Sequence, residues 1–185
     1  PFFIEEFIKS LKNLKIIERR ESKYHLVKDV QNLTIPTTIQ DVIMARVDSL
    51  PEKAKEVLQR GSVIEREFSY DLLQRVVEMP EQELLSYLSV LKDFELLYER
   101  GIYPESTYIF KHALTREVVY DSILTKRKKE LHGKIAKAIE EIYRERLEEF
   151  YEMLAYHSFR GEDWQRAKRY NWQAGIKALS FSAYE

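Results

Sequence analysis

Apolar residues recur at three- and four-residue spacing through most of this chain. That period limits the fold more than any other feature, to amphipathic helices that each need a neighbour to cover an apolar stripe. Phe3, Phe7, Leu11 and Leu14 form one stripe, widened by Ile4 and Ile8, and predict a helix over 2–13. Ile39, Val42, Ile43, Val47 and Leu50 form a second, Ala54, Val57 and Leu58 a third, and Leu84, Leu88 and Leu91 another. Leu131, Ile135, Ala138 and Ile142 make a near-heptad seam. Only five glycines and five prolines are spread over 185 residues, and 33% of residues are charged. Helices with salt-bridged outer faces and short connections are therefore expected.

Turn residues set the order of these elements. The segment 16–27 carries β-branched and aromatic residues on both sides of Arg20-Glu21-Ser22-Lys23 and predicts a small hairpin. After Pro36, Thr37 and Gln40 have capping-box spacing and start the second helix, while Pro51 suits the first turn of a third that ends near Gly61. Short helices over 69–77 and 80–94 follow. Leu96-Leu97-Tyr98 and Tyr108-Ile109-Phe110 then flank Gly101 and Pro104 as a strand pair. Three helices and then a β-wing is the order of a winged helix-turn-helix. From Thr115 onward the pattern is helical, over 115–124, 128–143, 147–160 and 163–175, the last two joined at Gly161-Glu162. In that final pair Tyr151, Leu154, Ala155, Ala167, Tyr170 and Ala174 have the small and aromatic pattern of a tetratricopeptide-like helix hairpin, which needs neighbours to cover its faces. The expected fold is mainly α, a winged helix-turn-helix followed by that hairpin.

Few residues in this pattern can do chemistry. The chain has no cysteine, which removes disulfides, thiolate nucleophiles and cysteine metal cages and fits a reducing cytoplasm. Its apolar runs are too short for a membrane span or a signal-peptide core, so a soluble chain without a membrane partner is expected. Gly133-Lys134 is the one Gly-Lys pair, and Ile135 follows it inside a helix whose amides are already bonded, so no phosphate loop is present. His25, His112, His132 and His157 lie far apart with no H-x-x-x-H spacing, which argues against a metal site. His112 sits between a strand and a helix, where its ring suits a structural corner better than proton transfer. Adjacent carboxylates such as Glu5-Glu6, Glu140-Glu141 and Glu148-Glu149 diverge by about 100° on a helix and read as solvated faces. No catalytic residue is expected.

Lysine and arginine number 30 against 31 aspartates and glutamates, so no whole-chain field draws a polyanion. The strongest local charge is Lys126-Arg127-Lys128-Lys129, a possible patch for a polyanion or an acidic partner. The helix that would enter a major groove carries Glu81-Gln82-Glu83 at one end and Asp93-Phe94-Glu95 at the other. Phosphate repulsion argues against DNA, leaving a DNA-binding winged helix as the alternative reading.

Three stretches resemble a known family. Pro1-Phe2-Phe3-Ile4-Glu5-Glu6 looks like the end of a G-N-P-F-F-[IVL]-E-E segment. Ile35-Pro36-Thr37-Thr38-Ile39-Gln40, with Ala45-Arg46-Val47-Asp48-Ser49-Leu50-Pro51, is similar to the stretch that follows it. The run from Phe110 to Tyr120, through His112, Leu114 and Glu117, looks like F-x-H-A-L-x-x-[ED]-V-x-Y. In this order they resemble the STAND-type signalling ATPases, notably those attached to bacterial class III adenylate/guanylate cyclase domains, protein kinases or transcriptional activators. The resemblance implies three parts: 1–34 as the tail of the ATPase module, 35–125 as a winged-helix domain, and 126–185 as a helical linker with the first tetratricopeptide-like repeat. It further implies that ATP or ADP with Mg²⁺ binds in a domain upstream, that repeats follow downstream, and that this segment relays between them through protein contacts. Pro1 matches the proline of the family's G-x-P motif, which lies against the nucleotide. Where relatives tend to carry glycine, this chain has Glu65 and Glu95. A positive φ at either would cost about 1 kcal/mol.

Overall fold

The structure, a computed structural model, describes residues 4, 5, 8, 11, 12, 16–20, 23–27 and 38–182. It is mainly helical with two small antiparallel sheets. Ile4, Glu5, Ile8, Leu11 and Lys12 are helical, and the rest of the helix expected over 2–13 lies outside the described residues. Strands β1 (Ile17–Arg20) and β2 (Lys23–Leu26) pair as the expected hairpin, with Ile17 opposite Leu26.

Helix α1 (Ile39–Asp48) starts one residue later than its sequence signal. Thr38, rather than Thr37, is the N-cap, and Asp41 rather than Gln40 completes the box. Asp41 N donates to Thr38 Oγ1 at 3.1 Å, and Thr38 N donates to Asp41 Oδ2 at 3.3 Å. A carboxylate at N3 gains from the helix dipole where a neutral amide gains less, which favours the box that Thr38 and Asp41 form.

The winged helix comprises α2 (Glu52–Ile64), β3 (Glu67–Ser69), α3 (Tyr70–Val77), α4 (Glu81–Asp93), β4 (Leu97–Arg100) and β5 (Thr107–Phe110). Strand β5 lies in the middle of the sheet, with Phe68 opposite Tyr108 on one side and Leu97 opposite Phe110 on the other. Three residues are too few for alternation to reveal, so β3 is legible only once β5 presents an edge.

Helix α5 (Ala113–Asp121) leads into the long α6 (Thr125–Ile142). The expected start at 147 is corrected by the structure. Arg144–Phe150 forms 3₁₀ turns broken at Arg146 (φ −133°), and α7 spans only Tyr151–Arg160. Tyr143 stacks on Phe150 across these turns at 3.9 Å between centroids, a closure that helical periodicity does not register. Helix α8 (Trp164–Ser182) runs past Gly175, its expected end. A Cβ at Gly175 would meet nothing within 4 Å, so only helix propensity acts there and the helix continues.

One apolar core runs without a break from Ile43 on α1 to Tyr170 on α8. The seam of α6 lies inside it: Leu131, Ile135 and Ala138 are buried and Ile142 is half-buried, with Ile139 buried beside them, as α6 packs on α2, α3 and α7. Polar links fasten the same helix to α3. Arg75 Nε donates to Glu141 at 2.8 Å, Lys134 pairs with Glu78 at 2.9 Å, and the Ser69 and Tyr143 hydroxyls meet at 3.2 Å.

Glu65 has φ −173°, extended backbone that any residue adopts. Glu95 has φ 53°, and Glu78 and Glu162 share its left-handed conformation at 57° and 60°. Each of these three pairs with a lysine: Glu95 with Lys111, Glu78 with Lys134, Glu162 with Lys129. Exposed pairs of this kind are worth about 0–1 kcal/mol, whereas a side chain in the left-handed region costs about 1–2 kcal/mol. Glu78→Gly at the end of α3 is therefore expected to raise the urea midpoint, by about 0.5–1 kcal/mol in unfolding free energy, and a lower midpoint would show that the lysine pair outweighs the backbone.

Candidate functional site

The carboxyl end of α5, the start of α6 and the turn between α7 and α8 meet around one aromatic ring. Tyr120 is buried, and three cations lie over it: Lys128 Nζ at 4.3 Å from the centroid, the Arg116 guanidinium at 5.1 Å and that of Arg160 at 5.9 Å. Arg116 Nε also donates to the Ser62 carbonyl at 2.8 Å, holding α5 to the end of α2. Arg160 lies over Tyr156 as well, at 5.9 Å.

Beneath the ring runs a buried polar chain. Tyr120 OH and His132 Nε2 are 3.0 Å apart, and His132 Nδ1 and His157 Nδ1 are 2.8 Å apart. Both histidines are buried, and Nε2 of His157 makes no hydrogen bond of normal geometry. Two neutral imidazoles can share that contact only if one Nδ1 carries a proton and the other does not. Burial, followed by the fields of Arg160, Arg116 and Lys128, pushes the His132 pKa down to about 4. Burial, then His132, pushes that of His157 down to about 3, with the Ile64 backbone acting in the opposite direction. Both rings are thus neutral at pH 7.

Spacing along the chain gave no hint of this pair. His132 and His157 are 25 residues apart on different helices, and the sequence marks them as separate. The available signal is that each falls on an apolar face, between Leu131 and Ile135 on α6 and beside Leu154 on α7. Among the described residues, no group of three or more histidines, aspartates and glutamates is placed to hold a metal.

The residues of the family-like stretch from 110 to 120 occupy different environments. Phe110 is fully buried and packs edge-on against Phe68 at 6.1 Å. His112 is the N-cap of α5, where its carbonyl accepts from Thr115 N at 3.1 Å and its ring makes no capping hydrogen bond. Leu114 is half-buried against the core, Glu117 is exposed, and only Tyr120 reaches the polar chain. Pro1 lies outside the described residues.

The basic run opens α6, with Thr125 as its first residue, so its side chains fan around the helix rather than forming one patch. Lys126 is exposed and has no ion pair among the described residues. Arg127 reaches Glu130 at 3.4 Å and Glu56 at 3.9 Å, Lys128 reaches Asp121 at 3.4 Å, and Lys129 reaches Glu162 at 2.6 Å. No acidic residue occupies the first turn, where the helix dipole would favour one and disfavours cations. Lys128 and Lys129 share a cleft of about 360 Å³ with Tyr120, His132, Arg160 and Trp164.

The outward face of α4 presents Glu81, Gln82, Ser86, Ser89 and Asp93. Its one cation, Lys92, is held by Glu99 at 2.5 Å, and Tyr103 on the β4–β5 connection bonds to Glu81. Among the described residues, no helix is long and apolar enough to cross a membrane. Comparison with models of known protein families and with curated proteins gave no match.

Proposed function

We propose that this chain is a non-catalytic relay segment of a STAND-type signalling ATPase, coupling a nucleotide-binding domain to a helical-repeat sensor through protein–protein contacts in the cytoplasm. The observation that supports it most is the unbroken core from α1 to α8, in which α6 is shared between the winged helix and the α7–α8 hairpin. Packed interiors transmit displacement because they are close to incompressible, so a shift of the hairpin must be accommodated at α2 and α3. The ordered sequence resemblance names the two elements to be coupled. On this reading ATP chemistry belongs to the upstream domain, and this segment restrains it.

The test is to add the chain to a separately expressed nucleotide-binding domain of the same protein and follow release of a fluorescent ADP analogue. Slower release, reversed by Arg75→Glu at the α3–α6 contact, is the expected result. No association and unchanged release would overturn the proposal.

The winged-helix strand order favours a second reading, a DNA-binding module of a transcriptional regulator. The acidic face of α4 opposes it, since a groove-reading helix must release counterions by neutralising phosphates. A salt-dependent shift of duplex DNA, abolished by neutralising Lys126 to Lys129, would support this reading, and no shift at low salt would remove it.

A further inference from the structure

We infer that the cleft where α6 meets the α7–α8 turn binds a small phosphate monoester, with Arg160, Lys128 and Lys129 taking the phosphate and Trp164 and Phe159 lying along its organic part. The cleft holds about 360 Å³, room for a phosphoryl group and a ring-sized substituent, and Thr125 adds a hydroxyl to its lining. Its lining carries three cations, Lys128, Lys129 and Arg160, against two carboxylates, Asp121 and Glu162. Lys128 and Lys129 each have one carboxylate, Asp121 and Glu162, whereas Arg160 has no carboxylate partner among the described residues and lies over two tyrosine rings. Both partner carboxylates are exposed, at 77% and 49% of the side chain, so solvent weakens their hold and a better acceptor can displace them.

Arg116, Lys128 and Arg160 also crowd one tyrosine ring, and a dianion relieves that repulsion where a single carboxylate does so only in part. Guanidinium and ammonium groups together match phosphate oxygens with charge-assisted hydrogen bonds. Phe159 and Trp164 meet edge to face at 5.4 Å, and both are more than half exposed. They supply an apolar wall that inorganic phosphate alone would leave uncovered. This site is independent of the relay reading and survives its failure.

The experiment titrates the full chain with inorganic phosphate and with phenyl phosphate. It follows Trp164 fluorescence in a Trp172→Phe background, with sodium chloride at matched ionic strength as the control. Saturable binding is expected for both, tighter for phenyl phosphate. R160Q and K128Q should each weaken it by about tenfold or more, the loss of one charge-assisted hydrogen bond. Lys126 lies outside the cleft, so K126Q should bind as the parent chain does. Four results would overturn the inference: no saturable response, a response reproduced by sodium chloride, equal weakening in K126Q and R160Q, or equal affinity for the two probes. Calorimetry on R160Q and K128Q provides the same comparison without relying on the indole.

Discussion

Unfolding free energy should fall steeply as pH is lowered from 6.5 towards 5. His132 and His157 have folded pKa values near 4 and 3, against about 6.5 for a free imidazole. Between those values the unfolded chain takes up protons that the folded chain refuses, so stability rises with pH through the window and levels off above about 7. Each histidine contributes a slope approaching about 1.4 kcal/mol per pH unit, and two together would exhaust the margin of an ordinary domain within a few units. Glu99, held low by its bonds to Lys92 and Ser106, loses stabilisation only as pH falls below the usual carboxylate range. Between pH 6.5 and 5 the histidines therefore act without Glu99, and the two effects overlap only below the usual carboxylate range. Urea titrations at half-unit intervals should show the slope, and His157→Asn should roughly halve it between pH 6.5 and 5 whatever it does at pH 7.5. An unchanged slope in that variant would show that the ring is not buried neutral.

Gly61→Ala should destabilise the chain by about 1–3 kcal/mol, against the gain of about 1 kcal/mol that alanine brings to an exposed helix interior. A Cβ at position 61 would stand 2.7 Å from Phe68 Cζ and 3.0 Å from Cε1. That ring cannot swing aside, because it is buried, stacked on Tyr108 at 6.3 Å and edge-on to Phe110 at 6.1 Å. Thermal or urea unfolding of G61A, F68L and the double variant measures the coupling. Trimming the ring should recover part of the loss, so the double variant should be more stable than the sum of the singles allows. Strict additivity would mean that the clash is not the cause.

These two features mark where the sequence could be read and where it could not. Helices with one apolar stripe were legible because burial follows the 3.6-residue period: Leu84, Leu88 and Leu91 on α4, and Leu131 and Ile135 on α6, all face the core. Gly61 could be placed near the end of α2 by punctuation, but the reason for it is Phe68, on a strand too short to be seen. The site was half visible. Tyr120 and the Lys126–Lys129 run stand out locally, one as a motif position and the other as charge. The two buried histidines and Arg160 join them only through tertiary packing, and no local pattern encodes a contact between α6 and α7. Glu65 and Glu95 show the same limit. Both stand where the family resemblance would put glycine, yet only Glu95 adopts the left-handed backbone.

The unbroken core has a consequence for how such a chain can be divided. The family resemblance puts a joint after residue 125, and Leu124 is exposed there between two helices. Cutting there would strip α6 from α2 and α3 and uncover Leu131, Ile135 and Ile139 on one side and much of the winged helix on the other. Any graft that replaces the α7–α8 hairpin on this winged helix must therefore leave α6 with the winged helix and keep the α7 residues that α6 packs against, Leu154, Ala155 and His157 among them.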